Sequence, residues 1–368
     1  MSIFESTQKL FQSNPFDFSI EAQTLFRESF KEMALHHYDA HPFFKRIFDD
    51  AKLHPSQIQS EKDMERVPSI MVHLFKEKEF ISVPEKEIIL TLTSSGTGGQ
   101  KSQQRLDQMS LDNVKLLAYK IHEGLGLTSK ENVNYLCFTY DPKVASDLGT
   151  AFTDELLTSF TERNEVYYAI QWNKEKNDFE LNSEGVIETL KRFEKDKKPV
   201  RILGFPAFLY KILKNNHIKL KLPQNSWVQT GGGWKNLANE EIPKHEFRRF
   251  INESLGIPEE NCRDLFGMVE HGIPYVDCRL GYMHIPNYAR VYVRSPYDLS
   301  ILPEGEVGLL HFICSYNHSY PCISLLSTDY GSVRKCTCGL GGQVLELKGR
   351  AGVSKHKGCA IKAAELLK

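Results

Sequence analysis

The stretch TLTSSGTGGQKSQQ, residues 91–104, decides how the fold of this 368-residue chain is interpreted. It includes the end of the strand-like run 88–92 and brings hydroxyl residues, glycines and a lysine close together. The backbone N–H groups and hydroxyls of such a loop can converge on an anion, and the lysine adds positive charge. A flexible Gly/Ser turn is the simpler alternative. The candidate anion-binding residues are Ser94, Ser95, Gly96, Thr97, Gly98, Gly99 and Lys101.

The loop fits neither of the two common phosphate-binding patterns. The P-loop of nucleoside triphosphatases places glycine immediately before lysine, whereas Gln100 precedes Lys101 here. The dinucleotide fingerprint, counted from Gly96, requires a third glycine where Lys101 stands. A P-loop nucleoside triphosphatase and a Rossmann dehydrogenase are therefore not supported.

The composition is that of an ordinary globular protein. Hydrophobic residues make up 41% and charged residues 25%, and a formal net charge of −1 gives no overall field that favours nucleic acid or an anionic membrane. The sequence has no apolar run near the ~18 residues of a transmembrane helix, and its first residues do not resemble a signal peptide. A cytoplasmic location is expected, with the eight cysteines acting as thiols, metal ligands or a nucleophile rather than as disulfides.

The spacing of apolar residues changes along the chain. Residues 1–85 show mainly helical spacing, with Ser19 suited to start a long helix. From about residue 88, strands such as NYLCFTY and VRILGF alternate with helices, one of which is expected to have Ser110 as its N-cap. This alternation predicts an α/β domain with largely parallel strands. After Tyr282, the strands ARVYVRS, VGLLHFICS and GQVLELKG follow without helices, which predicts an antiparallel region.

The loop resembles the ATP loop of the adenylate-forming enzymes, which include acyl-CoA synthetases and phenylacetate-CoA ligases, and departs from it at Gly98 and Gln100. Further motifs follow in the order of that superfamily. VQTGGGW resembles its glycine turn, LFGMVEHG its Y-G-x-T-E motif, PEGEVGLLHF its G-E-x-G-E-L strand and LSTDYG its T-G-D motif. GRAGVSKHKG resembles its hinge, keeping Gly349 and Arg350 but lacking the hinge acids. Matches in this order favour an adenylate-forming enzyme.

The resemblance implies a fold, a nucleotide site and a metal ion. Residues 1–349 would form the large domain, a layered α/β structure with a β-barrel-like region and a helical part at 1–85. Residues 350–368 would form the hinge and a short tail, a truncated stub of the small C-terminal domain. ATP would bind with Mg²⁺ at the loop, with Glu270 contacting the metal and Lys101 the phosphates. The other nucleotide-binding residues implied by the motifs are Gly231, Gly232, Gly233, Phe266, Gly267, Asp329 and Arg350.

Cys359 lies in a basic segment near the end of the chain. Lys355, His356 and Lys357 precede it, and Lys362 follows it. Positive neighbours favour the thiolate, which is the nucleophilic form of cysteine. From the residues alone, a solvent-exposed bystander is the simpler alternative.

In its length, its NPFDFSI segment and the position of Cys359, the chain resembles one branch of the superfamily, the acyl-protein synthetases of bacterial luminescence complexes. That resemblance implies that a long-chain fatty acid is activated as acyl-AMP and transferred to Cys359 as a thioester. The acyl group would then pass to a fatty acyl reductase subunit, in a complex with a thioesterase/transferase subunit, to supply aldehyde for bioluminescence.

A second group of residues has the composition of a structural metal site. Cys278, His284, Cys336 and Cys338 supply one imidazole and three thiols, a set suited to tetrahedral Zn²⁺. The C-x-C spacing is less standard than C-x2-C, and free buried cysteines are common. Structural zinc and unliganded thiols both remain open from the residues.

Two further functions remain open beside a self-acylating ligase. The first is an acid:coenzyme A ligase of the phenylacetate-CoA ligase type, which would use free CoA as the acyl acceptor. The second is a weakly catalytic, zinc-stapled partner subunit that chiefly holds a reductase. Acid-dependent ATP–pyrophosphate exchange separates both ligases from the partner subunit, and an acyl adduct on Cys359 separates the two ligases.

Overall fold

The computed structural model describes residues 4–93, 103–140, 149–173, 178–234 and 240–350. Within these residues the helices are α1 (Glu5–Gln12), α2 (Ile20–Ala40), α3 (Pro42–Asp50), α4 (Glu61–Glu65), α5 (Leu74–Glu77), α6 (Gln108–Gly124), α7 (Gly149–Thr158), α8 (Ser183–Asp196), α9 (Pro206–Asn215) and α10 (Lys244–Leu255). The first strands are β1 (Ile70–Met71), β2 (Leu90–Thr93), β3 (Gln103–Leu106), β4 (Asn132–Tyr140), β5 (Glu162–Asn173), β6 (Asp178–Leu181), β7 (Val200–Gly204) and β8 (Trp227–Gly231). The later strands are β9 (Cys262–Met268), β10 (His271–Asp277), β11 (Met283–His284), β12 (Ala289–Arg294), β13 (Gly308–Cys314), β14 (Ser324–Lys335) and β15 (Gln343–Arg350).

One mixed sheet organises the described residues. Its order is β12-β13-β14-β15-β11-β10-β9-β8-β7-β4-β5-β6, with β1 added in parallel alongside β14. The neighbours from β5 through β4, β7 and β8 to β9 are parallel, and those from β9 through β10 to β12 are antiparallel. β2 and β3 form a separate hairpin. The predicted combination of a parallel and an antiparallel region is confirmed.

Helices cover both faces of the parallel half. Successive side chains of a strand point to opposite faces, so each strand contributes to the apolar cluster on either side. In β4, Leu136 and Phe138 pack in one apolar cluster, while Tyr135 and Cys137 pack in another. The first cluster draws on α8, α9 and α10, and the second on α6 and the N-terminal helices. A strand that is buried on both faces has a largely continuous run of apolar residues in its sequence, as NYLCFTY in β4 does.

Two helix starts illustrate what local sequence predicts. The Ser19 hydroxyl accepts a hydrogen bond from the Ala22 N–H at the start of α2, as expected. The expected N-cap Ser110 is wrong, because α6 begins earlier and the Asp107 carboxylate accepts from the Ser110 N–H. The Ser110 hydroxyl instead accepts from the backbone N–H of His318, far away in the sequence.

β14 was not predicted from the sequence, although β12, β13 and β15 in the same antiparallel region were. It runs for 12 residues between β13 and β15 and contains Ser327, Asp329 and Ser332, so its composition does not read as a strand. No helix among the described residues combines the length and apolarity needed to cross a bilayer.

The buried Asp154 carboxyl on α7 generates a prediction about pH. Burial raises the pKa of Asp154 to about 7. The native state therefore holds this proton more tightly than the unfolded state, so its contribution to stability is lost as the pH rises from about 4 through 7. Relative to Asp154→Asn, the wild type should lose about 2–4 kcal/mol of unfolding free energy over that window. Urea titrations at pH 5 and pH 8 measure this, and an equal difference between the two proteins at both values would contradict it.

Candidate active site

The carboxyl ends of the parallel strands meet at one edge of the sheet, which is where open α/β sheets bind ligands. β7 ends at Gly204 and β8 at Gly231, and both strands run in the same direction as β9. The turn after β8 uses Gly232 and Gly233 at φ 74° and 69°, which L side chains rarely adopt. This turn therefore presents backbone rather than side chains at the edge.

Glu270 lies in the turn between β9 and β10, at the same edge. It is only 6% exposed, and its carboxylate forms no hydrogen bond or ion pair with another described residue. Neither carboxylate oxygen of Glu270 is among the fully enclosed polar atoms that lack a partner in the described residues, so the carboxylate remains accessible to a cation. The residue types and burial therefore fit a magnesium ion bound with a nucleotide.

Aromatic residues support the Glu270 turn. Phe266, on β9, is half-buried and packs near Tyr275 and Phe312, with ring centroids 6.2 and 6.0 Å apart, while the neighbouring Gly267 is exposed. His271 is buried, and its Nε2 lies 2.8 Å from the Tyr275 hydroxyl. Burial lowers the pKa of His271 to about 3, so the imidazole is neutral at physiological pH.

Asp329 and Arg350 face each other across β14 and β15. The Arg350 Nε donates to the Asp329 carboxylate at 2.8 Å, and the Ser327 hydroxyl donates to the other carboxylate oxygen at 3.1 Å. Asp329 is buried and Arg350 is exposed. The structure thus brings these two predicted residues together. In the sheet order, β15, β11 and β10 separate β14 from the β9 residues.

The remaining predicted residues lie outside the described part of the chain. They are Ser94, Ser95, Gly96, Thr97, Gly98, Gly99, Lys101 and Cys359. The structure fixes the two residues that flank the loop, because Thr93 on β2 is paired with Gln103 on β3.

The four predicted zinc ligands come together. The ligand atoms of Cys278, His284, Cys336 and Cys338 all lie within 4.8 Å of one another, and His284 Nε2 is 3.1 Å from the Cys338 sulfur. Ligand atoms of a tetrahedral zinc site lie about 3.8 Å apart, given zinc–sulfur bonds of about 2.3 Å. Burial by itself would raise the pKa of the Cys278 thiol. Hydrogen bonds with His284 and with nearby backbone outweigh burial, so the pKa of Cys278 is lowered. The donor set and its spacing therefore fit zinc.

A partly buried charge cluster next to the end of β8 was not predicted from the sequence. The Lys244 ammonium donates to both oxygens of Asp277, at 3.0 and 3.1 Å, and lies 3.7 Å from Asp264. Asp264 in turn accepts a hydrogen bond from the hydroxyl of Thr230 at 3.1 Å, and Thr230 directly precedes Gly231 in the sequence. Burial raises the pKa of both carboxyls, and Lys244 opposes that rise. No local motif marks this cluster, because its members come from β8, α10, β9 and β10.

Comparison with protein families assigns the chain. All of it, residues 1–368, matches the model of the family described as Acyl-protein synthetase, LuxE. The chain belongs to the LuxE family of acyl-protein synthetases.

Two curated relatives have the same name, long-chain-fatty-acid--luciferin-component ligase. The protein from Aliivibrio fischeri is 24% identical over 379 residues, covering 97% of this chain and 93% of the relative. The protein from Vibrio harveyi is 22% identical over 311 residues, covering 83% and 79%. These relatives are ligases, as the motifs predicted for this chain.

Solved structures of 2-hydroxyisobutyryl-CoA ligase share the fold of this chain. The complex with 2-HIB-AMP and CoA in the thioesterification state has a TM-score of 0.69 at 16% identity, covering 90% of this chain and 69% of the ligase. The open conformation gives 0.65 at 16% identity, covering 88% and 74%. The predicted adenylate-forming fold is confirmed.

The Lys244 cluster generates a stability prediction. Lys244→Met would leave Asp277 and Asp264 buried without their cation, which should lower the unfolding free energy by about 1–3 kcal/mol at pH 8, allowing for the partial exposure of Lys244. The loss should be smaller at pH 5, because both carboxyls have raised pKa values and accept protons there. Urea titration at both pH values measures the loss.

Lys348→Met is the matched control, because Lys348 pairs with Glu346 at 3.2 Å on the surface. It should change the unfolding free energy by less than about 1 kcal/mol. Equal effects of the two substitutions would show that the Lys244 cluster contributes no more than a surface ion pair.

Proposed function

We propose that this protein activates a long-chain fatty acid with ATP and then carries the acyl group on Cys359. The observation that carries the proposal is Glu270, a largely buried residue whose accessible carboxylate has no partner among the described residues, beside a glycine turn in a chain of the LuxE family. The names of the two curated relatives support a long-chain fatty acid as the substrate.

In the first step, a carboxylate oxygen of the fatty acid attacks the α-phosphorus of ATP. The new P–O bond forms acyl-AMP while the bond to the bridging oxygen breaks and pyrophosphate leaves. Because negative charge is spread over the phosphoryl oxygens in the transition state, positioned donors and cations accelerate this step. Mg²⁺ bound with ATP supplies part of that positive charge.

Each residue predicted to bind the nucleotide or magnesium has a role in that step. Glu270 holds the metal, and Gly231, Gly232 and Gly233 leave room for the nucleotide against the sheet edge. Asp329 accepts hydrogen bonds from the ribose hydroxyls, and the hydrogen bond from Arg350 orients that carboxylate. The nucleotide contacts are completed by Phe266 and Gly267 beside the adenine, and by the loop residues Ser94, Ser95, Gly96, Thr97, Gly98, Gly99 and Lys101.

In the second step, the Cys359 thiolate attacks the acyl carbon of acyl-AMP. A C–S bond forms, the C–O bond to the phosphate breaks and AMP leaves, while the thiol proton has passed to solvent. The basic neighbours Lys355 and Lys357 favour the thiolate. A fatty acyl reductase subunit then takes the acyl group, in a complex with a thioesterase/transferase subunit, to make the aldehyde used in bioluminescence.

Intact-protein mass spectrometry tests this function. The protein is incubated with ATP, Mg²⁺ and a long-chain fatty acid, and wild type is compared with Cys359→Ser. The wild type should gain one acyl group that hydroxylamine removes, because a thioester is labile to hydroxylamine, and Cys359→Ser should gain none. Cys262→Ser, which removes a buried thiol on β9, is the matched control and should still be acylated.

An adduct that persists in Cys359→Ser would contradict the assignment of the acceptor. Release of acyl-CoA when CoA is added, with no adduct on the wild type, would instead support the acid:coenzyme A ligase. If neither the adduct nor acyl-CoA forms, the result would support the weakly catalytic partner subunit.

We also propose that Cys278, His284, Cys336 and Cys338 bind a structural zinc ion. The cluster joins β11 to the turns after β10 and β14, and the His284 ring packs edge-on against Phe16 at 5.6 Å. Zinc would therefore link the antiparallel half of the sheet to the N-terminal segment, away from the reacting groups.

Metal analysis of the purified protein should find about one zinc per chain, the number that one tetrahedral site holds. Cys338→Ser should lose the metal and melt at a lower temperature, whereas Cys262→Ser should keep its zinc. Equal zinc in Cys338→Ser and wild type, or none in either, would contradict the site.

A further inference from the structure

The Tyr316 hydroxyl links two parts of the candidate active site. Tyr316 is completely buried in the segment between β13 and β14. Its hydroxyl oxygen accepts a hydrogen bond from the Gly272 backbone N–H at 3.0 Å. It also accepts a hydrogen bond from the side-chain Nε2 of Gln104, a residue that is only 2% exposed.

The two donors come from segments with different roles in the proposed function. Gln104 is on β3, the strand that directly follows the segment 94–102. Gly272 is on β10, two residues after Glu270. A single hydroxyl therefore fixes β3 against the turn that carries the metal-binding acid.

The absence of a side chain at Gly272 makes this contact possible. A Cβ built at Gly272 would lie 2.7 Å from the Tyr316 hydroxyl oxygen and 2.8 Å from a methyl group of Val114. Both distances are shorter than real Cβ contacts, so the phenol reaches the Gly272 N–H because that residue is glycine. The backbone of Tyr316 is held as well, because its carbonyl accepts from the Asn113 amide on α6 at 2.9 Å.

Core packing alone does not account for the hydroxyl. Phenylalanine would fill the same volume, and two buried donors would then lose their acceptor, at a cost well above that of a solvent-exposed hydrogen bond. The neighbouring Cys322 thiol is a weak substitute, because it lies 3.9 Å from the Gln104 Nε2. Burial raises the pKa of Cys322 to about 12, with Glu270 among the smaller causes, so this thiol is neutral and Glu270 lies near it.

We propose that Tyr316 is a positioning residue that sets β3 and the Glu270 turn at the separation required by MgATP. The proposal rests on the proposed adenylation function and extends it to a residue outside every motif of the sequence. Tyr316 touches neither substrate nor metal and acts through Gln104 and Gly272. Its loss should therefore weaken the use of MgATP and leave the use of the fatty acid nearly unchanged.

Steady-state ATP–pyrophosphate exchange tests the proposal with Tyr316→Phe, Gln104→Leu and the double variant. Tyr316→Phe should lower kcat/KM for MgATP about tenfold, as expected for two buried donors left without their acceptor, with KM for the fatty acid within about twofold of wild type. The double variant should be no worse than the poorer single variant, because both substitutions break the same link.

Tyr288→Phe is the matched control for a purely structural effect. Tyr288 is also fully buried, and its hydroxyl donates to the Ser13 carbonyl at 2.6 Å, in contact with the N-terminal segment. This control should lower the melting temperature without changing either KM. If Tyr316→Phe behaves like Tyr288→Phe, or raises both KM values equally, the positioning role is overturned.

Calorimetric titration with MgATP separates failure of this inference from failure of the proposed function. If the wild type binds MgATP but shows no acid-dependent exchange, the adenylation function fails, and the affinity of Tyr316→Phe still decides the positioning role. Affinity equal to wild type would overturn that role, and affinity about tenfold weaker would support it. A wild type that binds no MgATP overturns both.

Discussion

The position of β9 between a parallel and an antiparallel neighbour is the constraint on which the rest of the structure depends. β9 pairs in parallel with β8 and in antiparallel with β10. The parallel pairing places the end of β9 at the same edge as the glycine turn after β8. The antiparallel pairing forces an immediate turn there, and Glu270 occupies that turn. One backbone arrangement thus sets a carboxylate beside a turn that presents main-chain groups.

Buried polar contacts hold this edge in one geometry. Lys244 and Asp277 anchor the start of α10 to the end of β10, and Thr230 joins the same cluster through Asp264. On the other side, the Tyr316 hydroxyl joins β3 to Gly272. Such groups cost free energy if left unpaired, so each pairing excludes alternative arrangements of the edge. A rigid edge is what catalysis by positioning and charge requires.

Much of this architecture was predictable from sequence, and the misses have a common physical cause. Runs such as NYLCFTY identify buried parallel strands by themselves, and short motifs predicted Glu270 and the glycine turn as site residues. β14 was missed because its polar residues are satisfied by distant partners, as when Ser324 donates to the Pro68 carbonyl at 2.8 Å. The N-cap of α6 was misplaced for the same reason, since Ser110 bonds to His318. Tertiary hydrogen bonds of this kind leave no periodic signal in the sequence.

Fatty-acid-dependent exchange of pyrophosphate into ATP, compared between wild type and Glu270→Gln, tests the central claim most directly. Glutamine keeps the shape of the side chain and removes its charge. Because Glu270 has no hydrogen-bond or ion-pair partner among the described residues, the variant should melt no lower than wild type. Its exchange rate should fall about a hundredfold or more, as expected when a charged group at a developing charge is lost. Equal exchange by the two proteins would contradict a role for Glu270 in activating the acid.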